Sequence, residues 1–309
     1  MVALNLPAVT VGIPFFNAET TLLDAVRSVF AQSHSNWELI LMDDGSSDGS
    51  LDLARSIRDP RVRVYSDGRN RRLAARLNEI TSLAKYDFIA RMDADDLMSP
   101  VRLERQLELL SSRPDIDIVS TGLCSLRDDY SPDSIRGVPS THQITARRLL
   151  AGNVGIVHAS IVGRRAWFER NSYDESLFRG EDANLWVRSF AKKDLNVAFL
   201  EDILYYYRED ANISRERLLL AYRDSRYTLI NHAKEGFNGW DKITEFSRNL
   251  LKSLAVFLFA ELGVLKLLRQ RRNKSELDEA TKSDLIKIIN KIKAEKLPLI
   301  EKGVAQTYE

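Results

Sequence analysis

One cysteine, Cys124, stands among 309 residues, so no internal disulfide can form, and the composition agrees with a reducing compartment. Neither sign of charge is in excess: 45 Lys and Arg face 44 Asp and Glu, a formal net charge of +1. That balance excludes a chain that holds nucleic acid by its overall charge. The first residues, Met-Val-Ala-Leu-Asn-Leu-Pro, lack the basic n-region and long apolar h-region of a signal peptide, and a cytoplasmic location is the expectation. No charge-free apolar run reaches the ~20 residues of a membrane span. The best one, Leu250 to Leu268, is broken by Lys252, Glu261 and Lys266. No internal repeat is visible. What is left is a globular chain, 44% hydrophobic, long enough to bury a sizeable core.

The strongest local signal runs from Phe88 to Pro100. Phe88, Ile89, Ala90 and Met92 fit a buried parallel strand, and Asp93-Ala94-Asp95-Asp96 follows directly. A core does not tolerate three carboxylates, so these must meet water, a cation or a ligand. At the carboxyl end of a strand in an open α/β sheet, where ligands bind, an Asp-X-Asp is placed to hold Mg²⁺ or Mn²⁺ together with nucleotide phosphates. The plainer reading is a polar loop that caps a helix through Ser99 and Pro100, and the two are compatible.

Strands are expected at Val9 to Ile13, Glu38 to Met42, Val62 to Tyr65 and Phe88 to Met92, with helices between them at Ala18 to Gln32, Leu51 to Ile57 and Leu73 to Leu83. This alternation predicts a parallel sheet with right-handed crossovers. A helix at Val101 to Leu110 and a strand at Ile116 to Ser120 follow. Arg127 to Thr141, rich in Asp, Ser and Pro, reads as a mobile loop. Asp182 to Ala191 is helical, with Glu181-Asp182 at its amino terminus, and Val197 to Leu200 and Ile203 to Tyr207 read as two strands. Beyond Ser214 only helical periodicity remains, at Glu216 to His232, Asp241 to about Arg271, and Lys282 to Lys293. The predicted organisation is an α/β domain over 1–212, with a nucleotide half near 1–125 and an acceptor half near 126–212, and an α-helical appendage over 213–309.

Five motifs in order carry a resemblance: Val11 to Asn17, Leu41 to Asp48 with its Asp43-Asp44-Gly45-Ser46 turn, Asn70 to Asn78, Asp93 to Asp96, and Glu181-Asp182 before Leu185-Trp186. Together they resemble the family 2 inverting glycosyltransferases of bacterial glycan and polysaccharide synthesis, which have the GT-A fold, a Rossmann-like mixed sheet flanked by helices. The resemblance covers roughly residues 8 to 210. It implies that Pro14, Asn17, Asp44, Arg72, Asp93 and Ala94 bind the nucleotide, with Asp44 accepting from the uracil N3–H. It implies Asp95 as the ligand of Mn²⁺ or Mg²⁺, with Asp93 or Asp96 as alternatives. It further implies Asp182 as catalytic base and His158, Glu181 and Trp186 on the acceptor side. Structural readings stand beside these. Asp43 and Asp44 suit a turn, His158 a satisfied core position, and Glu181 and Asp182 the positive end of a helix dipole. Arg69, Arg71 and Arg72 suit a solvated cationic face. Two segments depart from the family pattern: Glu209 and Asp210 stand where relatives often carry a metal- or diphosphate-reaching histidine, and Asn171 and Ser172 replace glycines before Tyr173.

The implied activity is transfer of a sugar, with inversion, from a nucleotide donor such as a UDP-sugar to a glycan or lipid-linked saccharide in surface polysaccharide synthesis. A sugar-nucleotide nucleotidyltransferase would also use Asp-bound Mg²⁺ but usually opens with a glycine-rich basic loop, which Gly12 to Asn17 is not. A non-catalytic nucleotide-sugar scaffold would not need both the Asp-X-Asp and Asp182. The apolar residues of Leu250 to Leu268 beside Arg269, Arg271, Arg272 and Lys274 fit peripheral contact with the inner face of a cytoplasmic membrane, packing in a core, or homo-oligomerisation through the C-terminal helices.

Overall fold

The computed structural model describes residues 6–136, 144–209, 214–262 and 277–300. The first half alternates as the sequence pattern requires. β1 (Val9–Phe15), β2 (Trp37–Asp43) and β4 (Phe88–Arg91) are buried along their whole lengths, and β3 (Val62–Tyr65) edges the sheet. Strands covered on both faces need continuous rather than alternating apolar residues, which is what Val9–Phe15 and Trp37–Asp43 supply. The intervening helices are α1 (Leu22–Phe30), α2 (Ser50–Arg55) and α3 (Arg72–Leu83). Helix α1 turns Leu22, Ala25, Val26 and Val29 inward, the three- and four-residue spacing of one helical face.

The remaining elements are β5 (Leu97–Met98), α4 (Arg102–Ser112), β6 (Ile118–Leu126), β7 (Pro132–Arg136), α5 (Ala146–Leu150), β8 (Val162–Arg164), α6 (Arg165–Arg170), α7 (Glu181–Ala191), β9 (Val197–Arg208), α8 (Arg215–Asn231), α9 (Gly239–Glu261) and α10 (Glu279–Lys293). One mixed sheet runs β3-β2-β1-β4-β8-β6-β9-β5, with β7 added to β6. β1 pairs in parallel with both β2 and β4, while β8 is antiparallel to β4 and to β6. The chain leaves β1 toward β3 on one side and returns to β4 on the other. This reversal opens a crevice beyond the carboxyl ends of β1 and β4, where ligands of open α/β sheets bind.

Three expectations change. Residues 197–208 form one strand, not two. Its register against β6 shifts beside Gly122, and a Cβ there would lie 3.1 Å from the Asp202 carbonyl oxygen and 3.2 Å from that of Glu201. A bulge thus carries the Glu201-Asp202 pair past a glycine, and those two polar residues are what made the pattern look broken. Within the stretch expected as a loop, Pro132–Arg136 pairs antiparallel with β6, an edge strand whose polar residues hid it; residues 137–143 lie outside those described. The C-terminal helices also part company. α8 and α9 pack together and α8 reaches α7, whereas α10 returns to α1, where Leu285, Ile289 and Ile292 join Leu97, Cys124, Leu126 and Tyr206. The chain then ties to the end of α2, with Arg58 N–H donating to the Pro298 carbonyl at 2.6 Å and Ile300 N–H to that of Ser56 at 2.9 Å. The basic cluster at Arg269, Arg271, Arg272 and Lys274 lies outside the described residues.

Candidate active site

The crevice, of about 300 Å³, is lined by Pro14, Phe16 and Asn17 after β1, by Asp93, Ala94 and Asp95 after β4, and by Arg208 from the end of β9. The three carboxylates that follow β4 have separate fates. Asp96 is 1% exposed and spent inside the protein, its Oδ2 accepting from Tyr205 Oη–H at 2.8 Å and its Oδ1 from Arg208 N–H at 2.7 Å. Burial, with Asp95 and Asp93 beside it, pushes its carboxyl well above the usual range. Asp93 is half-buried and held by Arg91 Nη2 at 2.7 Å. Asp95 is the exposed one. It sits in a concave surface next to Asp93, and desolvation followed by that negative neighbour raises its carboxyl to about 6.

The Asp-Asp-Gly-Ser turn forms the next wall. Gly45 has φ +76°, and a Cβ on it would lie 2.7 Å from the Arg69 carbonyl carbon, so the turn needs glycine. Asn17 Oδ1 accepts from Ser47 N–H at 2.8 Å, which ties the end of β1 to this turn. Asp43 accepts from Ser46 N–H at 3.0 Å and from the Ser66 hydroxyl at 2.6 Å, turn chemistry as its plainer reading has it. Asp44 Oδ1 accepts from the N–H groups of Arg71 and Arg72 and from Arg76 Nε at 2.9 Å, while its Oδ2 has only Arg72 N–H, at 3.1 Å, among the described residues. Arg72 itself opens α3 with φ +70°, a conformation that favours glycine. Its guanidinium lies 4.1 Å from the centre of the Phe178 ring and donates to the Leu177 and Glu175 carbonyls, directed at the loop before α7.

The residues expected on the acceptor side gather around one buried cation, Arg91. Gly180 precedes α7 at φ +70°, and Glu181 and Asp182 occupy the first turn, where the helix dipole favours negative charge. Asp182 Oδ1 accepts from Ala183 N–H at 2.7 Å. Burial, then the neighbouring Asp182, raises the Glu181 carboxyl, and Arg91 acts in the opposite direction. Arg91 is 5% exposed, and desolvation working against its ionisation is outweighed by Asp93 and the other groups around it, Tyr173 and Glu181 among them. Its Nε has no hydrogen-bond partner among the described residues. His158 Nε2 bonds the Tyr173 hydroxyl at 2.7 Å, and the Trp186 ring meets the imidazole edge-on at 5.9 Å. Burial, with Arg91 nearby, pushes the His158 ring well below its ordinary value, so it is neutral. Trp186 is buried and stacks on Trp167 at 6.1 Å, supporting His158 from behind.

The glycosyl transferase family 2 model matches residues 10–174. The chain belongs to that family. It is a glycosyltransferase, 34% identical over 217 residues to the putative glycosyltransferase EpsE of Bacillus subtilis, an alignment spanning 68% of this chain and 76% of that one. Its fold is GT-A. Staphylococcus aureus TarS 1–349, solved with UDP-GlcNAc, superimposes with a TM-score of 0.59 at 17% identity over 93% of this chain and 83% of that one. The mannosyltransferase PcManGT of Pyrobaculum calidifontis, solved with GDP-Man and Mn²⁺, gives 0.57 at 14% identity over 95% and 89%.

In this glycosyltransferase, no group of three or more His, Cys, Asp or Glu side chains converges to cage a metal among the described residues. The donor set fits a cation of a different kind: one exposed carboxylate, Asp95, with a partly engaged second, Asp93, suits an ion that takes its other ligands from phosphate oxygens and water. Several groups that matter here escape motif reading. Arg91, Tyr205 and Arg208 sit in runs that look like strand, and Arg76 looks like one more surface arginine. Only the alternation of Arg91 between apolar neighbours hinted that it had to be buried and therefore needed a partner.

Proposed function

We propose that this enzyme transfers a sugar from a UDP-sugar to a glycan or lipid-linked saccharide acceptor with inversion at the anomeric carbon, assisted by Mn²⁺ or Mg²⁺. The proposed division of labour gives the nucleotide to residues 1–125 and the acceptor to 126–212. The observation that carries it is the buried Arg91, which holds Asp93 of the donor crevice at 2.7 Å and whose charge also acts on Glu181 and on Tyr173. Two acidic groups from distant parts of the sequence thus share one site.

An inverting transfer is a single displacement, so the acceptor hydroxyl must lose a proton as it attacks opposite the leaving diphosphate. Asp182, in the first turn of α7, receives that proton. On the leaving side, Asp95 with Asp93 would hold the cation, which when bound supplies Lewis-acid neutralisation of the diphosphate. Arg208, in the crevice with a buried Nε that has no partner among the described residues, adds fixed positive charge where the family's histidine is missing. Asp44 Oδ2 accepts a single bond from Arg72 N–H and has a lone pair for the uracil N3–H. Phe16, half-exposed at the crevice, offers a ring face to the base. His158, neutral and bonded to Tyr173, orients acceptor-side groups rather than carrying charge.

A panel of UDP-, dTDP- and GDP-sugars, assayed for donor hydrolysis with Mn²⁺ and with chelator, tests the reading. UDP-sugars should be consumed only with metal, and transfer should give the opposite anomer by NMR. Retained configuration, or equal use of GDP-sugars, overturns it.

A further inference from the structure

Helix α9 reverses the usual arrangement of a surface helix. Its inward stripe is Glu245, Asn249 and Val256, all buried. The polar members are satisfied: Arg248 pairs with Glu245 at 3.1 Å, and Asn249 donates to the Glu245 carbonyl at 3.0 Å. The opposite side exposes Trp240 (76%), Ile243, Leu250, Leu251 (67%), Leu254 and Leu258, which recur at the spacing of one helical face. The one acid inside that stripe, Glu261, is paired with Arg215 at 2.9 Å. Together these six apolar side chains expose on the order of 700 Å², against ~300–600 Å² for the largest patch of an ordinary monomer. A 23-residue helix is about 35 Å long, so the patch is a strip rather than a spot.

Charge says what kind of surface would cover it. Along one edge, Arg147 and Arg148 of α5 meet Arg248 in a cleft of about 350 Å³, and the exposed Lys252 follows Arg248 one helical turn on. The acids in the cleft are Asp241 and Glu245, and Glu245 already has Arg248 as its partner. The strip is therefore apolar along its length and cationic along one rim. No helix among the described residues is long and apolar enough to cross a membrane, which leaves α9 the option of lying flat. An apolar strip with a basic rim and a tryptophan at one end matches the boundary between acyl chains and anionic headgroups.

We propose that α9 seats the enzyme on an anionic lipid bilayer, with the Trp240-to-Leu258 strip in the interface and Arg147, Arg148 and Arg248 against headgroup phosphates. Seating of this kind rests on surface chemistry and is independent of which sugar is moved. The test is co-sedimentation of the full chain with vesicles of two parts phosphatidylcholine to one part phosphatidylglycerol, compared with phosphatidylcholine alone. Binding should favour the anionic vesicles and weaken by about tenfold as salt rises to ~0.5 M, where screening shortens the reach of the rim. The triple variant Leu251→Glu, Leu254→Glu, Leu258→Glu changes only exposed positions, so its melting curve should match the parent while vesicle binding falls by at least about tenfold. Arg147→Glu should lower binding to anionic vesicles only. Undiminished binding of the triple variant overturns the proposal. So does a parent chain that ignores anionic vesicles and instead forms a concentration-dependent dimer that the triple variant abolishes, which would make the occupant a second copy. Donor hydrolysis measured without vesicles keeps a failure of the catalytic reading separate.

Discussion

The crevice side of the sheet and the helical pair α8–α9 solve opposite problems. Around β1 and β4 the strands are wholly buried, yet charges are drawn inside: Arg76, 1% exposed, meets Asp44, Asp67 and Glu79, and Arg91 meets Asp93. In α9 most of the large apolar side chains stay outside, while Glu245 and Asn249 point in. The first arrangement holds the crevice wall rigid, at the cost of desolvating charges. The second leaves an apolar face whose burial depends on another body. Loss of a side chain should therefore hurt fold and chemistry in the first region and only docking in the second.

The largest effect expected is on chemistry. Asp182→Asn keeps size and removes the proposed base, so turnover should fall about 10²–10⁴-fold with donor affinity by calorimetry nearly unchanged. Near-parent turnover would remove Asp182 from its role. Asp95→Asn should instead weaken metal-dependent UDP binding together with turnover. Equal UDP affinity for variant and parent in the presence of Mn²⁺ would count against that ligand.

Stability draws the contrast next. Arg76→Met removes the ion-pair partner of the buried Asp44 and one partner each of Asp67 and Glu79, and should cost about 3 kcal/mol in urea unfolding. Leu254→Gln on the outer face of α9 should stay within ~0.5 kcal/mol. Similar losses at both sites would erase the distinction between the two regions.

A smaller effect separates two histidines by pH. The His158 ring is held well below its ordinary value near 6.5, chiefly by burial, and His232, beside the helical pair, is lowered from the same value in a more open setting. For a lowered histidine the unfolded chain takes up the proton first. Stability is therefore full above pH 6.5 and declines as pH falls below it. Thermal melts between pH 7 and 5 should flatten more in His158→Gln than in His232→Gln, and the reverse ranking would place the stronger desolvation in the wrong region.

Much of this was readable along the chain, and the reason is local. The period of apolar residues in Val9–Phe15, Leu22–Phe30 and Trp37–Asp43 reports burial on two faces or one. The ordered Asp-Asp-Gly-Ser, Asp-Ala-Asp-Asp and Glu-Asp segments reported the family, because each pairs a backbone requirement with a charge. The helical segments after Ser214 were legible for the same reason, down to the termini of α10 within a few residues, although the part of the second expected between 263 and 271 lies outside the described residues.

What the tertiary structure alone decided is which like residue does what. Asp93, Asp95 and Asp96 are equivalent in a sequence, but Tyr205, more than a hundred residues later, claims Asp96, and Arg91 claims Asp93. The arginines near 70 are equally ambiguous until Arg76 turns inward to Asp44 and Arg72 turns out to Phe178. The bulge at Glu201-Asp202 depends on Gly122 of another strand. Whether the apolar stripe of α9 faces inward or outward depends on the surface it is packed against. Sequence periodicity sets the existence of a face, and long-range packing sets its direction, because burial is a property of neighbours brought from elsewhere in the chain.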